Sequence, residues 1–448
     1  MLDSYSDGFF NVSKDSGFLP QKDPLTKLPE KYKNLQNIID NLPAEKPNGL
    51  LSKSGLIEDA VNKLENYIDD VKEEQDIMVL HALYRAYTFV TSAYLLSPSH
   101  FGVDKNGNYG KAHQKLPIQV AQPLVKVSDK LQVAPWLDYH YSYSLGNYVR
   151  KGEGLHWRDL DMACSFTGGK DEIGFIMNHV YINELSPKLV GGIMSCYEGE
   201  DRLEDILEVV KGMNERRRTM WEASDYRNYN KFRAFIMGIE GNEEIFGDGV
   251  IYEGVTEEPK KYRGQTGAQD DIIPTLDIFT GIYKYYPENM LTKYLMDLRQ
   301  YRPKCVQNFF EDLEKENQHY LEGISEDRGK LEILYKIVGQ VYYFRNGHWN
   351  FVQKYIMGNT KYAKATGGTP IISWLPNQIG AVLKYMTKLI NVIEGYGGDM
   401  KKEREELGKK VMLLERQMLE LEKSGYEVER IFEMNGELGL DDRYVKFD

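Results

Sequence analysis

The sequence predicts an all-α protein. Apolar residues recur at spacings of three and four through most of the chain. No run of alternating β-branched residues reads as a strand. No alternation of strand and helix patterns suggests a parallel sheet.

The elements follow in order. Residues 1–29 hold Pro20, Pro24 and Pro29 and read as an extended lead-in. "GLIEDAVNKLENYIDDVKEE" places Ile57, Val61, Leu64, Ile68 and Val71 on one helical face. "IMVLHALYRAYTFVTSAYLL" is apolar almost all round, which predicts a buried helix. A polar loop covers 103–115, and shorter helices are expected around 117–131 and 136–149. The irregular stretch 150–173 is the candidate boundary between two lobes. Helical patterns resume at 174–185, 201–222 and 226–239. Residues 240–270 are Gly-rich and unpatterned, and loops of that length are uncommon and often functional. Helices return at 271–284, 288–300, 303–322 and 328–357, then near 376–395 after the loop "GNTKYAKATGGTP". "GYGGD" at 395–399 breaks the pattern. Beyond it Leu407, Val411, Leu414, Met418 and Leu421 form a short heptad seam. Two readings of the seam stand: a helix docked on the body, or a contact that pairs two chains into a homo-oligomer. The expected domains are a smaller N-terminal helical domain, 1–160, a large helical domain, 161–395, and a C-terminal helical extension, 396–448.

The chain has 448 residues, 42% apolar and 28% charged, which suits a globular protein with a substantial core. Its net charge of −12 argues against nucleic acid or an anionic membrane as partner. Cys164, Cys196 and Cys305 are far apart and form no CxxC pair, so neither a disulfide framework nor a zinc site is expected. The N-terminus has acidic residues and no long apolar stretch, and no apolar run approaches a membrane span. A cytoplasmic protein is expected.

Phosphate-loop, dinucleotide, zinc-protease and serine-hydrolase motifs are all absent. The chemistry must be sought in single side chains. "YYFRNGHWNFVQKYI" holds one: Leu334, Val338, Val341, Arg345, His348, Val352 and Tyr355 share a helical face. An Arg and a His one turn apart on an apolar face are costly without partners. His348 is either a core histidine bonded to a neighbour or a ligand. None of the eight histidines lies three or four residues from another, so no local metal pair is signalled. If His348 binds metal, the other ligands are not nearby protein groups. Haem fits that description, with one axial imidazole and an open opposite face.

A set of segments then resembles the indoleamine 2,3-dioxygenase family, all-α haem enzymes that open the indole ring of tryptophan. They are "LPIQVAQPLVKVSDKLQVAPWLDY", "LGNY", "CSFTGGKDEIGF", "FRAFIMGIEGN", "DGVIYEG", "QTGAQ", "LDIFTGI", "MDLRQYRP", "FRNGHWNFVQKYI" and "ATGGT". Each is weak alone, and their shared order and spacing over roughly 75–380 is specific. The C-terminal segment extends past the resembled body.

The resemblance implies a large haem-binding domain with the smaller N-terminal domain covering the distal side. It makes His348 the proximal ligand of the iron of haem b. Arg345 then pairs with a haem propionate and with Asp277, which is otherwise a helix-surface acid. Gly267 lies beside the haem, Phe175 faces the indole, and Arg233 binds the substrate carboxylate. Gly368 and Thr369 belong to a loop that closes near the substrate amino group. The chain also departs from the family. His179 stands where the family usually has Ser, and is either a surface residue or a catalytic pocket residue that steers the indole N–H or the bound O2. His140, Tyr143 and Ser144 replace Tyr, Cys and a small aliphatic, and Asn228 replaces an aromatic. The distal pocket is therefore expected to be more polar than the family norm, with His140 and Asn228 in contact with substrate. The implied reaction is cleavage of the indole C2–C3 bond of L-tryptophan, or a related indole, with O2 to give N-formylkynurenine. A haem monooxygenase of an aromatic amino-acid derivative and a non-catalytic haem sensor remain as alternatives.

Overall fold

Helices make up most of the structure, and the few strands are two or three residues long. The structure is a computed structural model that describes residues 2, 4–105, 107–288, 290–357, 364, 366–368 and 371–423. The first half holds α1 (Lys33–Asn41), α2 (Leu56–Asn62), α3 (Ile68–Glu73), α4 (Ile77–Phe101) and α5 (Ile118–Leu131). Then come α6 (Lys170–Asn183), α7 (Ser186–Tyr197), α8 (Leu203–Arg218) and the short turns α9 (Met220–Ala223), α10 (Asn230–Arg233) and α11 (Glu243–Phe246). The rest is α12 (Ile272–Thr280), α13 (Met290–Asp297), α14 (Lys304–Ile324), α15 (Arg328–Val352), α16 (Ile371–Gly395) and α17 (Lys401–Lys423).

Strands β1 (Tyr5–Ser6) and β2 (Asn11–Val12) pair antiparallel in the lead-in. Strand β3 (Lys115–Leu116) pairs parallel with β6 (Ile251–Tyr252), and β4 (Tyr148–Arg150) antiparallel with β5 (Leu160–Met162). One contiguous apolar core reaches from Leu2 to Leu414. Among the described residues no helix is long and apolar enough to cross a membrane.

Helix α4 is buried nearly all round, as its composition requires, and Asp76 caps it by accepting the Met78 N–H at 2.9 Å. Other elements differ from expectation for local reasons. The stripe over 55–74 is cut into α2 and α3, because Asn66 turns its carbonyl onto the Ile68 N–H at 3.1 Å and restarts the helix. The segment 136–149 makes only a π-helical turn, Tyr139–Tyr143, before β4. There Asp138 accepts the Tyr141 and Ser142 N–H groups at 3.1 and 2.8 Å. Helix α7 was hidden by Pro187, which sits in its first turn, where a missing N–H costs nothing. The 226–239 pattern breaks into short turns around α10.

Helix α15 is the axis of the second half. It packs against α8, α12, α14 and α16, and Asp327 caps it through the Lys330 N–H at 3.1 Å. Helix α17 lies on α16. Its Leu407, Val411 and Leu414 are buried, with Met418 and Leu421 partly so against the same core. Helix α17 also reaches α15: Gln417 accepts the Trp349 indole N–H at 3.2 Å, and Lys410 lies over the Tyr342 and Tyr343 rings. Within the chain, then, the heptad face is that of a docked helix. Residues 424–448 lie outside the described residues.

Because α17 docks on the body with Leu407 buried, Leu407→Ala should lower stability by roughly 2–5 kcal/mol, the range for a buried Leu truncation. Urea unfolding reads this directly, and an unchanged midpoint would mean that α17 does not dock.

Candidate functional site

A cavity opens between α6, α8, α12, α15 and α16. Centres of water-sized molecules can occupy about 170 Å³ of it. One water needs roughly 10–15 Å³ by that measure, so the space admits a large ring system. Its wall is mostly aromatic and aliphatic, with Phe175 from α6, Tyr229, Ile273 from α12, and Phe344, Phe351 and Tyr355 from α15 and the turn beyond it.

His348 projects from α15 into this cavity. Its half-buried ring makes no hydrogen bond among the described residues, so the bonded-core-histidine reading lacks its partner. Burial, with the Arg217 guanidinium adding positive potential, pushes the imidazole down to about 4. The ring is neutral near pH 7 and keeps a lone pair. No cluster of three His, Cys, Asp or Glu able to hold a metal ion exists among the described residues.

One turn earlier Arg345 is buried and bonded to Asp277 Oδ2 at 2.5 Å. Tyr286 donates to the same carboxylate at 2.6 Å and also meets Arg345. Among the described residues the Arg345 Nε and the Gln378 Nε2 are buried without a partner. Arg217, Arg299 and Arg302 also line the wall, Arg299 paired with Glu314 and Arg302 with Asp271. A neutral imidazole, an apolar slot and surplus guanidinium donors fit a flat metal macrocycle with anionic edges.

The structure brings His348, Arg345, Asp277, Phe175, His179 and Gly267 to one cavity. Phe175 and His179 sit one turn apart on α6, ring centroids 5.9 Å apart, and a Cβ on Gly267 would stand 3.5 Å from the His179 ring.

Other expected residues are placed elsewhere. His140 does not line the cavity; it is fully buried with Nε2 2.8 Å from Asp271 Oδ2. The π-turn carries an extra residue, and Tyr139 rather than His140 meets His179. Tyr143 donates to Glu172 at 3.1 Å, and Ser144 is buried away from the cavity. Asn228 also stays off the wall, bonded to Asp171 at 2.8 Å, and its neighbour Tyr229 lines it. Arg233 is buried behind the wall, donating to the Lys364 carbonyl at 2.5 Å and to Tyr109. Gly368 has φ +90° and packs on Glu240 and Gly241, where a Cβ would come within 2.3 Å of a carbonyl oxygen. Thr366 of the same loop lines the cavity, and Thr369 lies outside the described residues.

Sequence reading missed Tyr139, Asn183, Asp270, Asp271 and Arg302. The adjacent acids Asp270 and Asp271 look like helix-start residues, and only the folded chain shows that each holds a separate buried network.

Fold and site together define an all-α ligand-binding protein whose cavity is built around one open imidazole. The comparisons make the class specific. The family model for indoleamine 2,3-dioxygenase matches residues 7–394. Indoleamine 2,3-dioxygenase 1 of Mus musculus is 27% identical over 374 residues, covering 80% of this chain and 86% of the relative. The same enzyme of Rattus norvegicus is 26% identical over 320 residues, 68% and 73% of the two chains. A 6-hydroxytryptophan 2,3-dioxygenase of Fusarium equiseti is 25% identical over 371 residues, 78% and 84%. The chain belongs to the indoleamine 2,3-dioxygenase family of haem-dependent dioxygenases.

Removing one partner of the Arg345–Asp277 pair leaves a buried charge unanswered. Asp277→Ala should therefore destabilise the fold by about 3–5 kcal/mol. A loss below about 1 kcal/mol in chemical denaturation, the worth of a solvated pair, would show that Arg345 finds water instead.

Proposed function

We propose that the protein binds haem b through His348 and cleaves the indole C2–C3 bond of L-tryptophan, or a close indole, to an N-formyl ring-opened product. The open, neutral His348 imidazole in a cavity that admits a large ring system carries this reading. When bound, haem supplies the redox chemistry that lets O2 react with an indole.

The chain's own residues bind, orient and exclude water. Arg345, held by Asp277, offers guanidinium donors to a propionate. Gly267 leaves room beside the ring. Phe175 and Tyr229 offer aromatic faces to an indole, ring centroids 5.1 Å apart. Arg233, which stands behind the wall bonded to the Lys364 carbonyl, takes the substrate carboxylate if that bond is exchanged for it, and Gly368 and Thr369 take the amino-group side. His179, kept neutral mainly by burial, borders the substrate. Orientation, rather than an acid–base pair, is the protein's contribution. The 1–160 segment acts as the cover of the distal side, 161–395 as the haem-binding body and 396–448 as a C-terminal extension, in a cytoplasmic enzyme.

His348→Ala should abolish stable haem binding while the chain still folds. The Soret band of purified protein reads the first and circular dichroism the second; an unchanged Soret band would refute the ligand assignment. The reaction is tested by reducing the haem protein, adding L-tryptophan and 18O2, and weighing the product. Two labelled atoms in a formylated product are expected. One labelled atom in a hydroxylated product would favour the monooxygenase that the polar His179 wall suggests, and no product would leave a sensor.

A further inference from the structure

The wall around His179 holds polar groups that the reading above does not use. Tyr139 begins the π-helical turn, and its ring meets His179 edge-on with centroids 5.6 Å apart. Its hydroxyl oxygen lies 3.4 Å from His179 Nδ1. The hydroxyl proton is committed elsewhere, to Asp270 Oδ2 at 2.6 Å. Asn183 Nδ2 donates to that same oxygen at 2.8 Å, and the Ile272 N–H donates to Asp270 Oδ1 at 2.9 Å. Both Asp270 oxygens are therefore acceptors.

Burial and the Asp270 carboxylate push the Tyr139 phenol far up, so it keeps its proton. A phenol that donates to Asp270 has only a lone pair to offer His179. The imidazole must then carry its proton on Nδ1, because the bond at one ring nitrogen sets the state of the other. Nε2 makes no hydrogen bond among the described residues, while the ring lines the cavity.

We propose that Asp270, acting through Tyr139, fixes the His179 proton on Nδ1 and leaves Nε2 as a hydrogen-bond acceptor toward the cavity. Asp270 and Tyr139 are positioning residues, and neither touches the substrate in this role. The ligand chemistry selected is a heteroaromatic ring with a free N–H, such as an indole unsubstituted at nitrogen. A group that needs a donor there, such as a carbonyl or hydroxyl acceptor, gains nothing from His179. The inference rests on the reading that His179 borders the substrate.

The test uses haem-loaded, full-length protein with 15N-labelled histidine, in its diamagnetic reduced carbon-monoxide form. Protonated and unprotonated ring nitrogens resonate far apart, and the His179 signals are those missing in His179→Ser. In the wild type Nδ1 should be the protonated nitrogen and Nε2 the bare one.

Asp270→Ala should reverse them. The Tyr139 hydroxyl then loses its carboxylate acceptor, so its proton turns to Nδ1 and the imidazole proton moves to Nε2. Tyr139→Phe removes the acceptor and should give a mixture of both tautomers. In parallel, the kcat/KM preference for L-tryptophan over its N1-methyl analogue should fall by about 2- to 10-fold in both variants, the worth of one neutral hydrogen bond.

A His179 tautomer unmoved in both variants overturns the proposal while leaving the site reading intact. If His179→Ser itself keeps the wild-type preference for the free indole N–H, the ring does not border the substrate. The site reading then fails and takes the proposal with it.

Discussion

The buried pair between Arg345 and Asp277 is the contact on which the arrangement of the site depends. A guanidinium out of water is costly by several kcal/mol unless it is matched by a carboxylate and further hydrogen bonds. Asp277 and Tyr286 provide that match, and in doing so lock α15 to α12 one turn before His348. The rotation of α15 about its axis is thereby set. Were it turned by one residue, about 100°, the guanidinium would lose its carboxylate and His348 would leave the cavity. Stability and ligand geometry are thus the same constraint.

Helix α12 serves a second purpose at its other end. Asp270 and Asp271 are adjacent in sequence, yet they hold different partners. Asp270 gathers Tyr139 and Asn183, while Asp271 gathers His140 and Arg302 in a fully buried cluster. Adjacent residues at the start of a helix point in different directions, so two consecutive acids can organise two separate networks. The wall bearing His179 is consequently polar without being wet: its charges are matched within the protein, and apolar rings still line the space that a ligand would fill.

The back of α15 is closed by a segment that the family model, ending at residue 394, does not include. Helix α17 covers Trp349 and the tyrosines beside it. The heptad spacing that reads equally as a dimer seam is satisfied inside one chain, because a short seam buries enough apolar area against a neighbouring helix to dock there. A segment outside the family body thus packs directly against the helix that carries its central histidine.

The sequence alone determined the helical class, the long helices α4, α14, α15 and α16, and the shared face of Arg345 and His348. These rest on periodicity, which is a local property of neighbouring turns. Resemblance added the Asp277 partner and the family. Which polar side chains meet is settled by the folded chain alone. One extra residue in the π-turn placed Tyr139 beside His179 and turned His140 toward Asp271. A single-residue shift brought Tyr229 to the wall in place of Asn228. Such choices depend on groups 40 to 131 positions apart, as with Tyr139 and its partners His179 and Asp270. No spacing rule reaches that far, and only the requirement that buried polar groups find partners settles them.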